Sequence, residues 1–549
     1  MTDRASQPAR AALLIGAASS TSDRAHRAVR ARATRDQPSA DAAANRRRHE
    51  RGSGAPGPPS PAGLVDDVWL GDNPRVTANR ALSTTLYGEV FTFPDVKDVL
   101  ARANEPRSGD EQAGLAPKSK RQMAAAKRVL SSLTLKELRE NPAVPYELDE
   151  VTRVVEDGIA GSPVATRAYQ RVSCWSVAEL REFILDDAHT GDDIKELTPG
   201  LTPEMVAATA KLMSNMDLVM AGKKIRVTAV CNNTIGLPGR LASRLQPNHP
   251  RDDVDGIIAA VKDGLSFGNG DAVIGINPST DDVDKVKDIL SAVKDFMRRV
   301  RVPTQNCVLA HITAQMAALQ RGAPLDLMFQ SIAGSEGANK NFGVSVALLD
   351  EAYDMTLREG TAKGPNVMYF ETGQGTALSA NAHHGTDQVT MEARAYGLAR
   401  RYHPFLVNSV VGFIGPEYLR NGKQITRAGL EDHFMGKLMG ISMGCDACYT
   451  NHADSDQNDQ ENLEMLLAMA GVNYLMGIPM GDDVMLNYQT TSFHNNAALR
   501  DLLDLRPSPE FERWMEDTGL WRNGKLTKRA GDPSIFTGAT PLPKQRVAS

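Results

Sequence analysis

Between Ile225 and Ile478 the chain alternates short apolar runs with longer amphipathic stretches, and it does so eight times. The runs are Ile225–Cys231, Ala272–Ile276, Cys307–Ala310, Leu325–Phe329, Val367–Phe370, Phe405–Val411, Gly440–Gly444 and Val472–Ile478. A segment that is apolar at successive positions is buried on both faces, as a strand of a parallel sheet is. Parallel neighbours need a crossover between them, and the intervening segments carry apolar residues at helical spacing. Those segments are Asp253–Asp263, Asp282–Val300, Thr313–Arg321, Gly343–Arg358, Asp387–Arg400, Arg427–Leu438 and Gln460–Gly471, with Asn496–Leu503 after the last run. Eight consecutive units predict an α/β fold of the (β/α)8, TIM-barrel type. Periodicity by itself does not show closure, so an open doubly wound sheet is the second architecture.

The rest of the chain divides around this repeat. Residues 84–222 read as a helical N-terminal region: Asp95–Asn104 and Ser119–Ser132 have helical spacing, and Thr134 and Ser176 stand where helix N-caps belong. Residues 1–83 read as a disordered extension. Met1–Arg51 is rich in Ala and Arg, and Gly52–Gly63 is a linker of Gly, Ser, Ala and Pro. Neither carries enough periodic apolar residues to offset the entropy of ordering. Asp3, Asp23, Asp36 and Asp41 argue against a transit peptide, which would be poor in acids. Residues 223–536 form the expected catalytic barrel, and 537–549 a flexible tail.

Composition narrows the function. A net charge of -5 provides no basic field for a nucleic acid partner. No apolar run reaches the about 20 residues that cross a bilayer. Five cysteines (Cys174, Cys231, Cys307, Cys445 and Cys448) are too few and too uneven for a disulfide framework and point to a reducing compartment.

In barrels of this type the reacting groups sit where strands pass into loops. Those positions hold Arg244 and Gln246 in the first loop, Asn277–Pro278 after the second strand and His311 after the third. Gln330–Ser331 follows the fourth, Glu371 ends the fifth ahead of a Gly-rich turn, and Asn408 lies in the sixth. Cys445–Asp446 ends the seventh, and a GDDVMLNYQ loop follows the eighth. No strand-end Lys is placed for a Schiff base, and there is neither a phosphate-binding Gly-Lys-Ser/Thr loop nor a Gly-x-Ser-x-Gly elbow. Two carboxylates complement an ammonium and the amides can orient it, so the set suits a small polar cation. Three readings remain open at this level: an enzyme acting on such a cation, a metal-dependent barrel enzyme using Glu371, Asp446, His311 and the Cys445/Cys448 pair, and a non-catalytic amine binder. Cys445-x2-Cys448-x3-His452 is only half a zinc motif, and two buried thiols account for it better. Glu431–Gly436 (EDHFMG) approximates a cobalt-ligand pattern, but Glu replaces its first Asp and it lies inside a helical pattern, so it reads as a surface helix.

The strand-end strings resemble the large subunit of ethanolamine ammonia-lyase. They include NTIGLPG, SRLQPN, GDAVIG, PTQ-CVLAH, YFETGQG, DQVTMEAR, VVGFIGPEYL, AGLEDHFMGKL, MLNYQT and LRPSPEFERW, and run from about Tyr87 to Trp514. The resemblance implies a carbon–nitrogen lyase that converts ethanolamine to acetaldehyde and ammonia with adenosylcobalamin. It implies catalytic and substrate contacts at Arg244, Glu371 and Asp446, further substrate contacts at Gln246 and Asn277, and cobalamin contacts at Pro278, Gln330, Ser379 and Met485. It implies no metal ligand from the protein, because the cobalamin of this family keeps its own base on cobalt. A small subunit that completes the cobalamin site, a higher-order hetero-oligomer and a bacterial cytoplasmic enzyme often housed in a microcompartment are implied as well.

Overall fold

Eight strands run parallel around one axis in the computed structural model, which describes residues 82–536. They are β1 (Ala242–Leu245), β2 (Val273–Ile276), β3 (Asn306–Val308), β4 (Met328–Ser331), β5 (Met368–Thr372), β6 (Leu406–Val410), β7 (Met443–Asp446) and β8 (Tyr474–Gly477). The hydrogen-bonded order is β3-β2-β1-β8-β7-β6-β5-β4. Leu327 N donates to Asn306 O at 3.3 Å across the remaining seam. Each strand is followed by a helix within a few residues of the expected segment, such as Val283–Val300 after β2 and Val346–Glu359 after β4. The TIM-type architecture expected from the repeat is the one observed.

One strand departs from expectation. Ile225–Cys231 is not a barrel strand; Ala229–Val230 pairs instead with Thr234–Ile235 as a short hairpin. Ala229, Cys231 and Ile235 pack with Val273, Cys307, Leu327, Tyr369, Leu406 and Tyr474. Asn366, just ahead of β5, accepts from Val230 N at 2.8 Å, and Gln305, just ahead of β3, accepts from Asn232 N at 3.1 Å. The run is apolar because it plugs the N-terminal end of the barrel. The true first strand, β1, carries Ser243 and Arg244, both fully buried, and polarity hid it. Ser243 N and Oγ donate to Asp271 at 2.8 and 3.1 Å, so its burial leaves no orphaned donor.

The region before the barrel begins with a hairpin, Leu82–Leu86 and Glu89–Phe93, and continues in helices. Their starts follow the sequence: Asp95 and Ser119 cap Val96–Arg102 and Lys120–Ser132, while Thr134 and Ser176 form capping boxes with Glu137 and Glu179. Helices α1 (Ser108–Gln112), α2 (Pro203–Lys211) and α3 (Asn215–Lys224) lie against the barrel's α4 (Gln388–Ala399) and α5 (Gly422–Leu438). Helix α5 corrects the expectation of a surface helix: every residue from Arg427 to Leu438 is buried. Glu431 keeps its charge because two cations pair with it, whereas burial holds the Asp432 carboxyl well above the usual carboxylate range. Glu431 receives Arg107 at 3.0 Å and Arg427 at 2.6 Å, and Asp432 receives Ser409 and Gln374 at 2.7 and 2.8 Å. The extension expected at residues 1–83 falls outside the described residues except for its last two, and the tail expected at 537–549 does so entirely.

Candidate active site

The parallel strands bring all eight C-terminal ends to one mouth, where a cavity of about 550 Å³ opens. Strand register sets what lines it. In β5 and β6, Glu371 pairs with Asn408, and in β6 and β7, Val410 pairs with Asp446. Arg244 on β1 lies beside Met476 and Val273. Two glycines make room: a Cβ on Gly275 would meet Arg244 Nε at 3.0 Å, and one on Gly444 would meet the Tyr474 ring at 2.1 Å. Of the nine expected contact residues, Arg244, Gln246, Asn277, Gln330, Glu371, Ser379 and Asp446 line the cavity. Pro278 and Met485 do not; each is the chain neighbour of a lining residue, Asn277 or Leu486.

Glu371 is held from one side only. Tyr369 Oη donates to its Oε1 at 2.7 Å, Arg244 Nη1 at 3.2 Å and Asn408 Nδ2 at 3.4 Å. All three contacts fall on Oε1, which leaves Oε2 to the cavity. Arg244 is 1% exposed, and its Nε and Nη2 have no hydrogen-bond partner. Burial disfavours its charge, but Tyr369, Glu371, Tyr488 and Asp446 outweigh that and hold the guanidinium above its ordinary pKa. Two donors of this charged group are therefore buried beside the cavity without a partner.

Asp446 receives Tyr488 Oη at 2.9 Å on Oδ2 and Thr490 Oγ1 on Oδ1. Burial pushes its carboxyl up to about 7, against the pull of Thr490, Arg244 and Tyr488. Gln246 Nε2 donates to Asp483 at 2.9 Å and to Tyr488 Oη at 3.1 Å, while Asn277 Nδ2 donates to Gln246 Oε1 at 2.9 Å. His311 also lines the cavity, with Nδ1 against Thr313 Oγ1 at 2.7 Å and Nε2 against Phe342 O at 2.9 Å. Cys445 and Cys448 are buried free thiols whose pKa values burial raises well above the ordinary range.

Sequence reasoning passed over Tyr369, Tyr488, Asn248 and Asp483. Tyr369 could have been found from strand alternation, since it stands two residues before Glu371 and so shares its face. Asp483 and Tyr488 lie in a loop, where no periodicity marks a side chain's direction.

Comparison with known proteins covers this whole site. The family described as "Ethanolamine ammonia lyase large subunit (EutB)" matches residues 91–529. The ethanolamine ammonia-lyase large subunit of Salmonella typhimurium is 59% identical over 455 residues, 83% of this chain and 99% of that protein. The large subunit from Escherichia coli K12 is 58% identical over the same shares. Among solved structures, a type I 3-dehydroquinate dehydratase from Clostridium difficile matches with a TM-score of 0.34 and 12% identity over 51% of this chain and 98% of that one, too remote to bear on function. With the family matched across most of its length and relatives at this identity, the chain belongs to the ethanolamine ammonia-lyase large-subunit family.

Proposed function

We propose that this chain is the catalytic subunit of an adenosylcobalamin-dependent ethanolamine ammonia-lyase, releasing acetaldehyde and ammonia from ethanolamine. The observation that carries the reading lies in one cavity, lined by two carboxylates, Glu371 and Asp446, and by Arg244, two of whose donors have no hydrogen-bond partner. That set complements a small molecule with an ammonium at one end and a hydroxyl at the other. The ammonium sits among Glu371 Oε2, Asp446 and Gln246; the hydroxyl oxygen accepts from Arg244, and its proton is directed to Asn277 or Glu371. Tyr369 and Asn408 keep Glu371 aimed while the amine leaves, and Glu371 Oε2 is the atom placed to carry a proton between the two substrate groups.

The mouth of the cavity also offers a seat for the cofactor. The cavity far exceeds the volume of ethanolamine, its lining includes Gln330, Ser379 and Leu486, and Phe413, Met480 and Val484 are exposed apolar residues in the loops after β6 and β8. Pro278, Gln330, Ser379 and Met485 would hold adenosylcobalamin, which supplies, when bound, the radical that takes hydrogen from the hydroxyl-bearing carbon. The chain's own part is to bind and orient the substrate and to keep water from it. A small subunit covers the remaining cofactor face, in a higher-order hetero-oligomer of the bacterial cytoplasm or a microcompartment. No helix among the described residues is long and apolar enough to cross a membrane.

The test is an aldehyde assay on the chain with the small subunit and adenosylcobalamin. Turnover should require all three, and Glu371→Gln should lower it about 10²-fold or more. Wild-type turnover in that variant would overturn the site assignment.

A further inference from the structure

Asp483 lies in the loop after β8, is 4% exposed and does not line the cavity. Its Oδ1 accepts from the backbone N–H of Met485 at 2.9 Å and of Leu486 at 2.6 Å. Its Oδ2 accepts from Gln246 Nε2 at 2.9 Å and Asn248 Nδ2 at 2.8 Å. A carboxylate has no hydrogen to give, so both amides must turn their NH2 groups toward it. This fixes the direction of every hydrogen bond beyond them.

With their NH2 groups committed, Gln246 and Asn248 present their carbonyl oxygens to Asn277. Asn277 Nδ2 donates to Gln246 Oε1 at 2.9 Å and Asn248 Oδ1 at 3.3 Å, and Asn277 N donates to Asn248 Oδ1 at 2.9 Å. Both Nδ2 hydrogens are then used, so Asn277 can offer only Oδ1 to the cavity. On the other branch, the second Gln246 hydrogen goes to Tyr488 Oη at 3.1 Å. Tyr488 therefore spends its own proton on Asp446 Oδ2, at 2.9 Å.

We propose that Asp483 is a positioning residue that sets the hydrogen-bond polarity of the substrate cavity through the Gln246–Asn277 and Gln246–Tyr488–Asp446 branches. It makes Gln246, Asn277 and Asp446 present acceptors, which suits a ligand rich in donors, an ammonium above all. A flipped Gln246 would present NH2 hydrogens to that ammonium and repel it. The same carboxylate anchors the loop through Met485 and Leu486, so the loop's position and the amides' polarity are set together. This inference rests on the cavity being the ethanolamine site.

The test uses the reconstituted complex of chain, small subunit and adenosylcobalamin. KM and kcat for ethanolamine are measured beside the inhibition constant of ethylene glycol, which replaces the ammonium with a hydroxyl able to accept. In Asp483→Asn the carboxamide can donate, which releases the amides to flip. KM for ethanolamine should rise about tenfold or more, with kcat falling less and the glycol constant moving less than about threefold. A structural role alone would weaken amine and glycol together, and that parallel change, or an unchanged KM, overturns the relay. Asn248→Ala keeps the loop anchor and removes one brace on Asn277; it should show the same selective loss at about threefold to tenfold, and decides the matter if Asp483→Asn does not assemble. A parent complex that neither binds nor converts ethanolamine overturns the site reading and the relay with it. A parent that does both, beside variants with unchanged constants, overturns the relay alone.

Discussion

Asp446 carries a charge that depends on pH near neutrality. Its carboxyl is pushed up to about 7 because burial disfavours the anion more than Thr490, Arg244 and Tyr488 favour it. Above that value the carboxylate can meet an ammonium; below it, the neutral acid cannot. Affinity for ethanolamine should therefore rise as pH rises through about 7, read as 1/KM against pH. Thr490→Val removes a hydrogen bond that lowers the pKa, so it should move this limb to higher pH, and an unmoved limb would assign it to another group. The sign for stability is opposite. In the ligand-free protein the fold holds this proton longer than the unfolded chain does, so the contribution of Asp446 to stability is greatest at low pH. It is lost as pH rises from the ordinary carboxyl value of about 4 toward the folded value. At this scale the strand-end rule brought Asn277, Glu371 and Asp446 to one cavity, because parallel strands deliver their ends to one place; Arg244 and Gln246 reach the same cavity from β1 and its end, not from the loop after Ile225–Cys231 where they were expected. Asp483 was not legible: it acts one residue removed from the cavity, and only coordinates show that its two carboxylate oxygens divide between loop and amides.

Among the elements, β1 and α5 show where pattern reading gives way. Both put polar side chains where burial is complete and pair most of them, Arg244 Nε and Nη2 being left without a hydrogen-bond partner. Behind β1, Asp271 accepts from Ser243 N, Arg500 Nη2 and Ser508 N at 2.8, 2.9 and 2.8 Å. Asp271→Ala would leave Arg500 as a buried cation with fewer partners and cost about 3–5 kcal/mol, measurable by chemical denaturation. A loss under about 1 kcal/mol would show that water repairs the site. Apolar runs found seven of the eight strands because their outward faces meet helices and their inward faces meet the barrel core. The eighth eluded that rule because its outward Ser243 and inward Arg244 both meet partners distant in sequence. The same pairing made α5 read as a surface helix, since Glu431 and Asp432 look exposed until Arg107, Arg427, Gln374 and Ser409 are seen around them.

For the molecule as a whole, the helices before the barrel and the barrel share one hydrophobic core, which runs from Leu82 and Phe93 through Leu197 and Met205 to Phe434 and Leu467. Arg107 crosses the same boundary with polar contacts, to Glu431 at 3.0 Å and to Gln374 in the turn after Glu371. Residues 82–536 should therefore unfold in one cooperative transition in calorimetry; two resolved transitions would show that the helical region folds on its own. The sequence pointed to two regions because its periodicity changes near residue 223, but a change of pattern does not report how two regions pack.

The burial of α5 from Arg427 to Leu438 has a practical consequence for pruning. A minimal barrel cut at its first strand would uncover α5 along the side that α2 and α3 occupy. Lys437 would lose one of its two acceptors, Gly222 O at 2.8 Å, and keep only Gly471 O, and Glu431 would lose Arg107 and keep only Arg427. Such a fragment would present a wide greasy flank with half-satisfied polar groups, and its natural fate is to aggregate. Any transplant of this catalyst into a smaller scaffold has to carry the helices ahead of the barrel as part of the cargo.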